Sequence, residues 1–73
     1  MIEVRLFATL RVGRDKVCSF PPEEIATVKD ILDKLNIPVG EAAILLINGF
    51  HSKPEEGVKD GDIVSIFPPV AGG

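Results

Sequence analysis

Only one stretch of this 73-residue chain carries helical periodicity, and it is short. In "TVKDILDKLN" the residues Val28, Ile31, Leu32 and Leu35 fall at i, i+3, i+4 and i+7, one apolar stripe on a 3.6-residue period. Thr27 precedes the stripe as an N-cap whose hydroxyl can accept a first-turn N–H. Asp30 suits the positive end of the helix dipole, and Asn36 followed by Pro38 stops the helix. A helix of this length covers one face of a four- or five-stranded sheet. Whatever sheet the remaining residues build therefore keeps its other face open.

The remaining segments do read as strands. "MIEVRLFA" alternates, with Ile2, Val4 and Leu6 on one face and Glu3, Arg5 and Phe7 on the other. "RVGRD" supplies a turn and "KVCSF" a second short strand, giving a hairpin that Pro21 and Pro22 end. "AILLIN" is an apolar run closed by Asn48-Gly49, a strong turn signal, with "FHSK" as a short strand beyond it. "PEEGVKDGD" is turn chemistry with Val58 tucked inward. In "IVSIF", a solvent-facing Ser65 puts Val64 and Ile66 toward the core, and Ile63 and Phe67 on the side of Ser65. A hairpin followed by a helical crossover returns the later strands beside the first. The expected architecture is α+β, a β-grasp with a mixed four- to five-stranded sheet and one main helix packed on one face. Residues 1–67 form the domain and 68–73 a flexible C-terminal tail.

Phe7 and Phe67 are thereby assigned to the same uncovered sheet surface. Monomers rarely expose large contiguous apolar patches unless a partner binds there.

Composition narrows the function classes. Hydrophobic residues at 45% with 26% charged are the balance of a globular domain. A chain of this length buries about 60–65% of its unfolded surface, enough for one small core. The single cysteine, Cys18, cannot form an internal disulfide, which fits a reducing cytoplasm. One cysteine and one histidine also leave no Cys/His zinc or iron–sulfur site within the chain, so no metal is expected. A net charge of −3 argues against nucleic acid. No apolar run approaches the roughly 20 residues of a membrane span. The N-terminal residues lack a basic region followed by an apolar stretch, so neither a signal peptide nor membrane attachment is expected.

The tail "PPVAGG" suits delivery of a terminal carboxylate into another protein, with a frayed end as the alternative. Six residues from Pro68 reach about 20 Å. Pro68 and Pro69 stiffen the base, while Gly72 and Gly73 make a tip thin enough for a narrow channel. If the terminal carboxylate is the working group it must first be activated, most simply as a mixed anhydride with AMP. The chain has no phosphate-binding glycine loop to do this, so the protein is expected to be non-catalytic alone, with its activating enzyme elsewhere.

Four segments, "FATLR" at 7–11, "TVKDIL" at 27–32, "INGF" at 47–50 and "DGDIVSIFPPVAGG" at 60–73, carry a family resemblance. The chain resembles the ubiquitin-like sulfur carriers of the MoaD/ThiS family, most closely those acting as the small subunit of molybdopterin synthase. The resemblance implies that a ubiquitin-activator-like enzyme uses ATP to adenylate Gly73. A sulfur donor then converts it to a thiocarboxylate, with Gly72 as the neck and no cofactor bound by the carrier itself. The sulfur goes to the large subunit of molybdopterin synthase, for the molybdenum or tungsten cofactor, or alternatively to a thiazole-forming enzyme of thiamine synthesis. The compact "NIPVGEAAILLING" segment is shared with thiamine-pathway carriers, whereas Phe-Pro-Pro favours the molybdopterin side. The resemblance also puts Phe7, Phe67, Pro68 and Pro69 at or near partner interfaces, continued by Val70 and Ala71. Arg11 sits at a recurrent family position and is counted with them. A different class of function, a ubiquitin-like modifier joined to lysines or a plain docking module, uses the same tail and sheet.

The remaining chemistry-bearing residues read as structural. Cys18 is expected to be a small apolar strand residue rather than a persulfide relay. His51 is expected to be a solvated loop residue. Glu23, Glu24, Glu55, Glu56, Asp60 and Asp62 are expected in solvated turns, with docking onto a basic activating enzyme as their alternative use.

Overall fold

The computed structural model describes residues 1–69. Among the described residues there are five strands and one α-helix: β1 (Ile2–Leu6), β2 (Val17–Phe20), α1 (Val28–Lys34), β3 (Ile44–Ile47), β4 (Phe50–His51) and β5 (Ile63–Phe67). They form one sheet in the order β2-β1-β5-β3-β4. β1 and β5 run parallel, and the other neighbours are antiparallel. The first and last strands thus lie side by side at the centre, the α+β β-grasp arrangement expected from the element order. Pro68 and Pro69 follow β5 without regular structure. The tail residues Val70, Ala71, Gly72 and Gly73 lie outside the described residues.

Strand register sorts the side chains as period-two alternation requires. Val4 pairs with Val64 and Leu6 with Ile66, while Leu45 pairs with Ile66 on the other side. All five are buried, with Ile2, on the helix side of the sheet. Val28, Ile31 and Leu32 of α1 close over them, and Ile25, Ile37 and Leu10 fill the ends. Val58 packs against this core from the long loop, as its lone apolar position in "PEEGVKDGD" suggests.

α1 is capped at its N-terminus by neighbouring residues and at its C-terminus by a residue from the β1–β2 connection as well. Thr27 and Asp30 form a capping box, in which the Asp30 carboxylate accepts the backbone N–H groups of Ala26 (2.8 Å) and Thr27 (3.1 Å). Those two bonds, foremost, hold the Asp30 carboxyl below its ordinary pKa. Asn36 ends the helix at φ 57°, in the left-handed region that asparagine tolerates. The helix-terminal carbonyls find an unforeseen donor. Arg14 gives N–H bonds to the carbonyls of Leu35 (3.0 Å), Asn36 (3.1 Å) and Leu10 (3.3 Å), tying the β1–β2 connection to the helix end.

Three expectations change. The β1–β2 connection contains a 3-10 turn at Ala8–Arg11 before the glycine turn, because burying Leu10 requires the chain to coil back under the sheet. His51 lies in β4 opposite Leu46, within the short strand read from "FHSK" and not in a loop, and it is exposed. Asp62 does not belong to a solvated turn. It is 6% exposed and accepts hydrogen bonds from Asn48 Nδ2 (2.9 Å) and the Lys59 backbone N–H (3.0 Å).

Candidate functional site

The parallel register of β1 and β5 brings the two aromatics together. Leu6 pairs with Ile66, so Phe7 and Phe67, one residue further along each strand, arrive side by side on the face opposite the helix. Their rings stack with centroids 4.3 Å apart and planes inclined by 11°. The Phe7 backbone N–H donates to the Ile66 carbonyl at 3.2 Å. The Phe67 carbonyl accepts the Ala43 N–H at 2.9 Å, which fixes the base of the tail against the approach to β3. Ala8 then takes φ 54°, uncommon for a residue with a Cβ. That sharp turn carries the chain back over the ring it has just left. Arg11 ends with its guanidinium carbon 5.3 Å from the Phe7 centroid and its Nε–H donating to the Leu6 carbonyl at 2.7 Å.

β3 widens this surface. Ile44 pairs with Phe67 and Leu46 with Ser65, so both isoleucine and leucine share the uncovered face. Ile44 is exposed, and it extends the Phe7–Phe67 row across to the third strand. The adjacent row is more polar, with Arg5 opposite Ser65 and Arg5 ion-paired to Glu3. The apolar end of the open face is therefore the end from which Pro68 and Pro69 leave. Phe7, Arg11 and Phe67 are brought together, and Pro68, half-buried, and Pro69, exposed, continue from them. The assignments of Val70, Ala71, Gly72 and Gly73 fall outside the described residues. Ile44 was missed. In "AILLIN" the run of apolar residues hides the alternation that would have placed it.

Cys18 has a different setting. It pairs with Val4, on the helix side, and packs partly buried against the core, away from the aromatic stack. Burial first, and the neighbouring Asp15 second, push its thiol pKa up. It stays protonated at neutral pH, which suits a structural residue and works against a sulfur nucleophile. Gly13, Arg14, Asp15, Lys34 and Leu35 surround it in an open groove of about 500 Å³. No helix of the described residues is long and apolar enough to cross a membrane.

The sequence model of the ThiS family matches residues 4–73. The chain belongs to the ThiS family. This family member is 36% identical to small archaeal modifier protein 3 of Haloferax volcanii, over 99% of this chain and 98% of that one. Its structure is similar to the crystal structure of SAMP1 from Haloferax volcanii, with a TM-score of 0.73 at 27% identity, covering 99% and 98% of the two chains. It is also similar to the putative molybdopterin converting factor subunit 1 of Pyrococcus furiosus, with a TM-score of 0.66 at 27% identity, covering 94% and 97%. The fold of this ThiS-family protein is thus the ubiquitin-like β-grasp, and its group is that of the small ubiquitin-like modifiers and sulfur carriers.

Proposed function

We propose that the protein carries sulfur on the carboxyl group of Gly73 for molybdopterin formation. A ubiquitin-activator-like enzyme joins that carboxylate to the AMP part of ATP and releases pyrophosphate. Attack by a hydrosulfide equivalent on the acyl carbon expels AMP and leaves a thiocarboxylate. A large-subunit partner then receives the sulfur. Gly72 and Gly73 thread the catalyst's channel, while Phe7, Phe67, Ile44 and Arg11 seat the catalyst at the foot of the tail. The observation carrying this reading is the stacked Phe7–Phe67 pair on the uncovered face where Pro68 departs, in a chain whose family match reaches residue 73. Likeness to a molybdopterin converting factor subunit 1 supports the pathway.

A second reading, a modifier joined through Gly73 to lysines, is favoured by the 36% identity to a small archaeal modifier protein. Both begin with the same adenylate and diverge at the nucleophile. The intact mass of the protein after incubation with ATP, a sulfide source and the adenylating enzyme of the same organism separates them. Replacement of one carboxylate oxygen by sulfur, lost when Gly73 is deleted from a folded chain, is the expected result. Gly73-dependent conjugates on lysines without a thiocarboxylate would transfer the assignment to the modifier. An unchanged mass with an active enzyme overturns both.

A further inference from the structure

The chain has three arginines, and their guanidinium groups are engaged differently. Arg14 directs its nitrogens to the carbonyls of Leu35, Leu10 and Asn36. Arg5 is paired with Glu3. Arg11 is held by one hydrogen bond and one aromatic contact. Its Nε–H is bonded to the Leu6 carbonyl and its guanidinium carbon lies over the Phe7 ring. Among the described residues its two terminal nitrogens have no hydrogen-bond partner, although the side chain is exposed at the rim of the Phe7–Phe67–Ile44 row. A guanidinium has five N–H donors in a planar fork, so four remain for another molecule. Two contacts have already fixed the attitude of that fork, and little side-chain freedom is left to lose on binding.

We infer that Arg11 is the receptor for an aspartate or glutamate carboxylate on the adenylating enzyme, the contact that sets the register in which the enzyme seats on the aromatic row. This rests on the proposed seating of that enzyme at the foot of the tail. A carboxylate matches the fork with two parallel N–H···O bonds. The apolar side chains around Arg11 exclude water once covered, which strengthens the pair relative to one in open solvent. The whole chain carries a net charge of −3 and attracts basic surfaces in general. An acidic side chain opposite Arg11 therefore acts as a local mark of position and not as part of the overall attraction.

The test uses the full chain and the adenylating enzyme of the same organism, with dissociation constants measured at low and high salt. Arg11→Gln weakens binding about 10- to 100-fold, the loss of a charge-assisted bond, and flattens its salt dependence. Arg11→Lys, which keeps the charge and loses the fork, restores part of the affinity. With the Arg11→Lys chain, carbodiimide joins the new amine to the facing carboxylate as an amide. Peptide mapping then places the link between position 11 and an Asp or Glu of the enzyme. Unfolding midpoints of the variants are compared with the parent, and the Lys variant's cross-link decides the question should Arg11→Gln fold poorly. Wild-type affinity for Arg11→Gln at both salts, alongside lost binding in Phe67→Ala, overturns the role of Arg11 and leaves the seating intact. Cross-links that avoid position 11 overturn it equally. An enzyme that neither binds nor adenylates the unaltered chain overturns both the inference and the reading beneath it.

Discussion

Asn48 and Asp62 show how two single residues join segments far apart in the chain. Asn48 takes φ 52° and Gly49 φ 87°, the pair of positive values that a two-residue hairpin turn of type I′ demands. The Asn48 side chain then works in both directions. Its Oδ1 accepts the Ile63 N–H at 2.9 Å and its Nδ2 donates to Asp62 at 2.9 Å. Asp62 also accepts the Lys59 N–H, so one buried carboxylate ties the start of β5 to the β3–β4 turn. Truncating Asp62→Ala leaves an amide and a backbone N–H without partners, and we predict a loss of about 1–3 kcal/mol. Urea unfolding checks this as a lower midpoint at unchanged slope. A change within about 0.5 kcal/mol, typical of exposed sites, would return Asp62 to the solvated turn that its composition suggests. The sequence could not distinguish the two aspartates of "DGD". Asp60 is exposed and pairs with the amino group of Met1, whereas Asp62 turns inward, and only the docking of the Asn48 turn separates them.

At the scale of elements, local signals and long-range ones differ in legibility. The stripe of α1 and the alternation of β1 and β5 were readable because each repeats a single period over several residues. Asp30 was readable as a first-turn acid favouring the helix dipole, and the capping bonds that the structure adds carry a pH dependence. Its carboxyl pKa is depressed in the folded chain by the N–H groups of Ala26 and Thr27. The unfolded state therefore binds more protons in the acid range, and stability rises with pH there. The contribution is complete above the unfolded carboxyl pKa of about 3.9 and disappears as pH falls through the lower folded value. Asp30→Ala is accordingly less stable than the parent at pH 7, and the gap narrows on acidification below about pH 5. Thermal melts across that range test the sign, and a gap that stays constant contradicts the capping account. The 3-10 turn at Ala8–Arg11 was not readable. Ala8 at φ 54° follows no local preference, and the turn exists because Leu10 reaches the core and Arg11 reaches Phe7. The candidate site shares that division. Phe7 and Phe67 were assigned to one face by alternation, but their stacking depends on a parallel pairing of strands from opposite ends of the chain.

Across the whole molecule the sheet works as a partition, with the hydrophobic core on the helix side and the aromatic row on the other. Adjacent residues of β5 therefore have opposite responsibilities. Ile66 has no exposure and contacts the core, while Phe67 is half-buried and stacks on Phe7 outside it. Removing the Ile66 side chain leaves a cavity between sheet and helix, and we predict that Ile66→Ala costs about 2–5 kcal/mol. A small domain has about 5–15 kcal/mol in total, so this variant sits near the edge of folding. Phe67→Ala loses the aromatic pair, worth about 0.5–1.5 kcal/mol beyond its burial, and leaves the core cluster filled. The separation appears when both variants are measured for unfolding midpoint and for affinity to the adenylating enzyme. In Ile66→Ala the midpoint falls steeply, and the fraction that remains folded binds as the parent does, because no open-face side chain has changed. In Phe67→Ala the midpoint falls slightly and affinity drops at least tenfold, the loss typical of a central aromatic in an interface. Equal losses of affinity per folded molecule in the two variants would mean that core and docking surface are coupled through β5, and that the sheet is not a partition.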